Sequence, residues 1–254
     1  MSTDISVVKE SINQAVSLAE QRGDLEPYTY SAVPRVTIPR DLEKGWQWES
    51  LTGTIKAGNS LEGIYLGHSN PEHTLWPYTG SGSGSPPYLR SNDGVIGYKT
   101  GEDVGDLDVK KIEAAKNKDG TYNWKDIEYC QWAEGKNGRR IPPRAKQTVR
   151  VCILPESGDP VIVSLPGTSI RYFKVFAGSN YAVPGGVAIA LDLEEAKGSA
   201  NSYVVAKTRV IERLEPEVSE KLARLYADRV SPLLSPKQPS AATGDKKVID
   251  EVPF

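Results

Sequence analysis

The stretch VRVCIL-PESGDP-VIVSL, residues 149–165, constrains the fold of this chain more than any other. Two β-branched runs of strand length flank a six-residue segment with a Gly and two Pro, which reads as a hairpin. A short amphipathic helix is expected in TSIRYFKVF (168–176), capped by Thr168 or Ser169. Two further strands follow in VAIALDL and SYVVAKTRVIERL, joined by EEAKGSAN. EPEVSEKLARLYADRV then reads as a helix. Pro216 fits its first turn, Glu215 and Glu217 suit its dipole, and Val218, Leu222, Leu225 and Tyr226 form its apolar face.

Upstream, STDISVVKESINQAVSLAEQRG has Ile5, Val8, Ile12, Ala15 and Ala19 on one helical face, and an extended arm follows from Tyr28 to Arg40. WQWESLTGTIKA and LEGIYLG are strand candidates around the turn GNS. Residues 68–148 are irregular, with GSGSGSPP as a flexible loop and Asp119-Gly120 as a turn. The glycines of that loop form no phosphate cradle, because no strand–helix context or Lys-Ser/Thr follows. A mainly β, α+β chain with a helix between its late strands suits an OB-fold-like Greek-key barrel with a loop-rich insertion at about 68–148 and flanking helices. The expected segments are a helix at 1–27, the barrel with its insertion at 28–230, a linker at 231–247 and a tip at 248–254.

Apolar residues make up 38% and charged residues 25% of the 254-residue chain, which suits a globular core. No apolar run approaches a membrane span, and MSTDISVVKE has neither a basic start nor an apolar block. With only Cys130 and Cys152, a reducing, cytoplasmic setting is expected, each thiol serving as a small apolar residue. His68, His73 and the cysteines lack metal-site spacing, so neither metal nor cofactor is expected. No nucleophile elbow accompanies the histidines, and Asp108-Val109-Lys110 alone makes no nuclease set. The chain is read as a non-enzyme.

The formal net charge is −2, yet residues 135–150 hold Lys136, Arg139, Arg140, Arg144, Lys146 and Arg150 with no acid. Such a window can neutralise several phosphates. Aromatics lie nearby in sequence. Trp46 and Trp48 share a strand face, Trp76 and Tyr88 flank the Gly/Ser loop with Arg90 just after, and Trp132 leads into the basic window. Cations for a backbone and flat rings for bases are what a single-strand binder needs. Those twelve side chains are the candidate nucleic-acid contacts.

The chain ends in VIDEVPF behind SPLLSPKQPSAATGDKK. Asp250, Glu251, Val252, Pro253 and Phe254 resemble the acidic tip of bacterial single-stranded DNA-binding proteins. That resemblance implies docking onto replication and recombination proteins through the Phe ring and its carboxylate. The body looks more like phage-encoded single-stranded DNA-binding proteins with an OB-like barrel and a large insertion, in LRSNDGVIGY (89–98), YCQWAEGKNGRR (129–140) and VIVSLPGTSIRYF (161–173). Some members of that group bind zinc through cysteines around the first two stretches. Here only Cys130 stands, with Leu89 and Arg90 at the other place, and no zinc site is implied. The tip departs too, with two adjacent acids and Lys246 and Lys247 upstream.

The reading is a protein that coats single-stranded DNA in the host bacterial cytoplasm during phage replication or recombination, with little sequence preference and no membrane partner. A homo-oligomer remains open. The alternatives are a recombination accessory or duplex-binding architectural protein, and an interaction or virion component that binds no DNA.

Overall fold

The computed structural model describes residues 10, 13–18, 33–50, 53–78, 86–135, 138, 140–198 and 201–234. The C-terminal tip Asp250–Phe254, Lys136 and Arg139 lie outside the described residues. The fold is mainly β, with a large, predominantly antiparallel sheet and a few helices.

The elements in order are α1, helical over residues 13–18, β1 (Arg35–Thr37), β2 (Trp46–Ser50), β3 (Gly53–Gly58), β4 (Ser60–His68), β5 (Glu72–Leu75), β6 (Leu89–Ser91), β7 (Ile96–Lys99), α2 (Val109–Glu113), β8 (Tyr122–Asn123), β9 (Ala133–Glu134), β10 (Arg140–Ile141), β11 (Lys146–Leu154), β12 (Val161–Pro166), α3 (Gly167–Ala177), β13 (Val187–Lys197), β14 (Ser202–Arg213) and α4 (Pro216–Leu234). The expected hairpin forms as β11 antiparallel to β12, and the late strands pair as β13 with β14.

The body of the sheet runs β14-β13-β4-β11, and β12 continues it on the far edge of β11, with β1 parallel to β12. No strand pairing joins β12 or β1 to β14 among the described residues, so hydrogen bonds close no barrel there. Instead α3, leaving β12, packs against β14, β11 and β12. Ser169 shows how: it caps no helix, and its buried hydroxyl accepts from the Ala206 amide of edge strand β14 at 3.0 Å. Neither expected residue caps α3, whose N-cap is Pro166.

The two-residue alternation of strands sorts the sheet's side chains into two cores. Tyr65, Val151, Ile153, Val163, Ile189 and Leu191 point to one side, with Phe173 and Phe176 of α3 and Trp46 and Trp48 of β2. Ile64, Leu66, Cys152, Leu154 and Ala188 point to the other, under Ala15 and Val16 of α1 and Leu222, Tyr226 and Val230 of α4. Close approach requires Gly63, where an added Cβ would stand 2.5 Å from the Leu154 carbonyl oxygen. α4 reaches Leu234, so residues 231–234, expected in the linker, belong to the folded body. Leu233 packs with Val33 and Ile162.

The insertion begins where β4 and β5 run end to end along β11. His68 lies opposite Val151 and Glu72 opposite Thr148, and the Ser69 amide bridges the break to the Arg150 carbonyl at 2.8 Å. From there β5, β6, β7 and β8 form an antiparallel meander with its own core of Leu75, Tyr88, Leu89, Leu107, Ile112, Tyr122, Trp124 and Ile127. The segment read as loop-rich is therefore a packed lobe. No helix among the described residues is long and apolar enough to cross a membrane.

Candidate nucleic-acid interface

Paired residues on neighbouring strands share a face, and this register assembles a surface that no single stretch of sequence shows. β11 presents Lys146, Thr148 and Arg150. Thr148 pairs with Glu72 and with Pro166, Lys146 with Thr74, and Arg150 with Ser164. Thr74 pairs with Arg90, Arg90 with Tyr98, and Ser164 with Thr37 of β1, two residues from Arg35. Lys146, Arg35 and Thr37 are exposed, whereas Thr74, Arg90, Tyr98, Thr148, Arg150 and Ser164 are half-buried. These side chains lie on the side of the sheet that α1 and α4 pack against, next to the residues of β4, β11 and β12 that those helices cover. The result is a polar strip with four cations and one carboxylate, spanning body and lobe.

Glu72 organises the strip. Its side chain is buried at 9% exposure, with the carboxylate meeting Arg90 Nε at 2.8 Å and the Arg150 guanidinium. A carboxylate taken from water needs such partners. It holds two guanidinium groups in place and leaves the trio with one net positive charge.

Arg144 is engaged differently. It grips Asp106 with two nitrogens, at 2.7 and 2.5 Å, donates to the Trp76 carbonyl at 3.2 Å and lies over the Tyr129 ring. The Arg144 hydrogen bonds, with one from the Tyr78 amide, hold the Asp106 carboxyl down at about 2. Arg144 thus straps residues 76–78 to the lobe. Trp76, 38% exposed, hydrogen-bonds through its indole to the Thr74 hydroxyl at 3.1 Å, beside Lys146. Trp132, 58% exposed, lies 5.7 Å from the Arg140 guanidinium at the small β9–β10 ribbon.

Three expected stacking residues are corrected. Trp46 is 0% exposed and donates to the Leu191 carbonyl at 2.8 Å, Trp48 packs in the same core, and Tyr88 lies in the lobe core. All three rings are buried. Of the expected set, Arg90, Lys146, Arg150 and Trp76 come together on the strip, while Arg140 and Trp132 form a separate pair. Sequence reasoning missed Arg35, Thr37, Thr74, Tyr98, Thr148 and Ser164. Alternation along β11 was the available signal, since it puts Lys146, Thr148 and Arg150 on one face.

No group of three His, Cys, Asp or Glu side chains able to hold a metal occurs among the described residues. Burial pushes both the Cys130 and the Cys152 thiol up to about 12, so each stays protonated. Asp108 accepts from the Lys110 amide at 3.1 Å as the cap of α2. No protein-family model, curated protein or solved structure matches the chain.

Proposed function

We propose that this protein binds single-stranded DNA without strong sequence preference, on the polar strip across β1, β12, β11, β5, β6 and β7. The observation that carries this reading is the register bringing Arg35, Arg90, Lys146 and Arg150 to one face of the sheet beside Trp76. Cations spaced along a sheet suit a phosphate backbone, hydroxyls of Thr and Ser add donors, and an exposed indole offers a stacking plane. Phosphate contacts and stacking carry little base information, which suits weak sequence preference.

In the same reading, β4, β11, β12, β13 and β14 are the five strands of an OB-like barrel left open between β12 and β14. The spatial order β14-β13-β4-β11-β12 supports it, as does a helix after the third of these strands. OB-folds bind oligonucleotides on the face of their second and third strands and with the loop between the first and second. Here those are β11, β12 and the lobe. Recruitment of replication or recombination proteins by Asp250–Phe254, in the host cytoplasm of a phage, completes the proposal, and it rests on the sequence resemblance alone.

Titration with poly-dT across salt concentrations tests it. Quenching of tryptophan emission and an affinity falling steeply with salt are expected. Equal affinity for duplex of the same length would favour the architectural alternative, and absence of binding at low salt would end the proposal.

A further inference from the structure

The strip is continuous with a second cationic face. Thr148 pairs with Pro166, the last residue of β12 and the N-cap of α3, so the two share the strip's face. Pro166, Gly167 and Thr168 are all exposed and carry the surface from the sheet onto α3. Thr168, Arg171 and Lys174 follow at intervals of three, which sets them along one side of the helix with about 4.5 Å of rise between neighbours. Arg171 and Lys174 are exposed there, while Ile170, Phe173 and Phe176 turn into the core.

Charge marks this face. α3 contains no Asp or Glu. Other exposed cations, such as Lys99, Lys111 and Arg224, each meet a carboxylate. Neither Arg171 nor Lys174 forms an ion pair among the described residues. Arg171 is held by a ring instead: it donates to the Tyr172 hydroxyl at 2.6 Å and lies 4.6 Å from the ring centroid. Lys207 also lies over that ring, at 5.6 Å, but its charge is met by Glu194 at 2.6 Å. Cations on a rigid helix with no acid to match them leave their field open to an anion.

We infer that a strand bound on the strip runs on past the end of β12 and lays further phosphates against Arg171 and Lys174 on the outer side of α3. A polyanion is the partner this face fits, because its two cations stand close together, open to solvent and joined to the strip by exposed residues. The inference rests on the single-strand reading and deepens it, adding a second segment that lengthens the stretch of strand one molecule covers.

Oligo-dT of graded length, from about 4 to about 16 nucleotides, tests it on the full chain. The short members fill the strip alone, so a variant carrying Arg171→Ala and Lys174→Ala is expected to bind them as the unaltered protein does. The long members reach α3. For these the variant is expected to lose about tenfold in affinity at low salt, with a salt slope smaller by about 1.4, the value for two single-strand phosphates. The shortest length that gives full affinity is expected to fall in the variant as well. A variant that matches the unaltered protein at every length overturns the α3 segment and leaves the single-strand reading standing. An equal loss at short and long lengths also overturns it, since overall charge rather than a second segment then accounts for the change. If the unaltered protein binds no length at low salt, the inference falls together with the reading it rests on.

Discussion

The main sheet body and the lobe inserted between β4 and β11 are packed in different ways. The body is built from long strands whose β-branched side chains alternate between two cores, such as Val151 and Ile153 inward with Cys152 and Leu154 outward on β11. In the lobe, β5 to β8 are each four residues or fewer, and the core is rich in aromatics, including Tyr88, Tyr122 and Trp124. Side chains replace strand length there. Asp93 accepts from the Val95 and Ile96 amides at 2.7 and 2.9 Å, Asp108 and Asn123 cap short helical turns, and Tyr122 donates to Glu113 at 2.6 Å. Regular backbone bonding makes the body's order independent of any one polar side chain, whereas the lobe depends on several. The strip crosses from one to the other, so it joins a rigid half to a half held by local bonds.

The largest expected effect separates these two kinds of packing. Trp46→Ala removes a fully buried ring and its hydrogen bond to Leu191, and is expected to cost about 3–5 kcal/mol and to lower the single melting transition of the whole body. Trp124→Ala in the lobe is expected to cost a similar amount locally, with faster amide exchange confined to residues 72–145. Calorimetry with hydrogen exchange checks both, and global loss of protection in Trp124→Ala would erase the distinction between the two regions.

Glu72→Gln sharpens the comparison at the junction. Two guanidinium groups are left without their shared carboxylate, which is expected to destabilise the fold by roughly 1–3 kcal/mol. The same change removes the strip's carboxylate, so affinity for oligo-dT at low salt is expected to rise. Stability and binding moving in opposite directions would mark Glu72 as an organiser of the strip. A parallel fall in both would make it a plain structural residue.

These contrasts also explain what was legible in the sequence. The body was readable because period-two alternation and the hairpin turn act locally: β11, β12, β13, β14 and α4 all form, although β13 extends through EEAK, expected as connection, β11 starts at Lys146 and α4 runs on to Leu234. The lobe was not, because strands as short as β6 and β8 carry no period, and the bonds that order them come from Asp and Asn residues that also populate ordinary loops. The stacking candidates failed for a related reason. Trp46 and Trp48 do share a face as expected, but nothing local says whether that face meets solvent or a core supplied by β13 and α3. The strip itself needed the register of five strand pairings before its members became neighbours.

A smaller effect is expected from Lys146→Ala. Lys146 is exposed on β11 beside Thr74, and its loss should weaken poly-dT binding a few-fold on every sequence and reduce the salt slope by about one. An unchanged slope would move the strand's path off β11 and toward the Trp132–Arg140 ribbon, away from the seam of body and lobe.

The smallest expected effect is a pH response confined to the lobe's strap. Asp106 sits at about 2, against an ordinary value of 3.8, because Arg144 and the Tyr78 amide bond its charged form. A carboxyl that is more acidic in the folded state contributes above the ordinary carboxylate range, and the contribution is lost as pH falls toward about 2. Asp106 is exposed, with its side chain 47% open to solvent, so the gain is small and screened by salt. The expected sign is therefore a change in Trp76 emission between pH 4 and pH 2, while the buried rings of Trp46 and Trp48 report no change. Asp106→Asn should abolish that step and free residues 76–78 at neutral pH. A step that persists in Asp106→Asn would mean that another carboxylate governs the strap, and that the lobe's order does not hang on the Arg144 bridge.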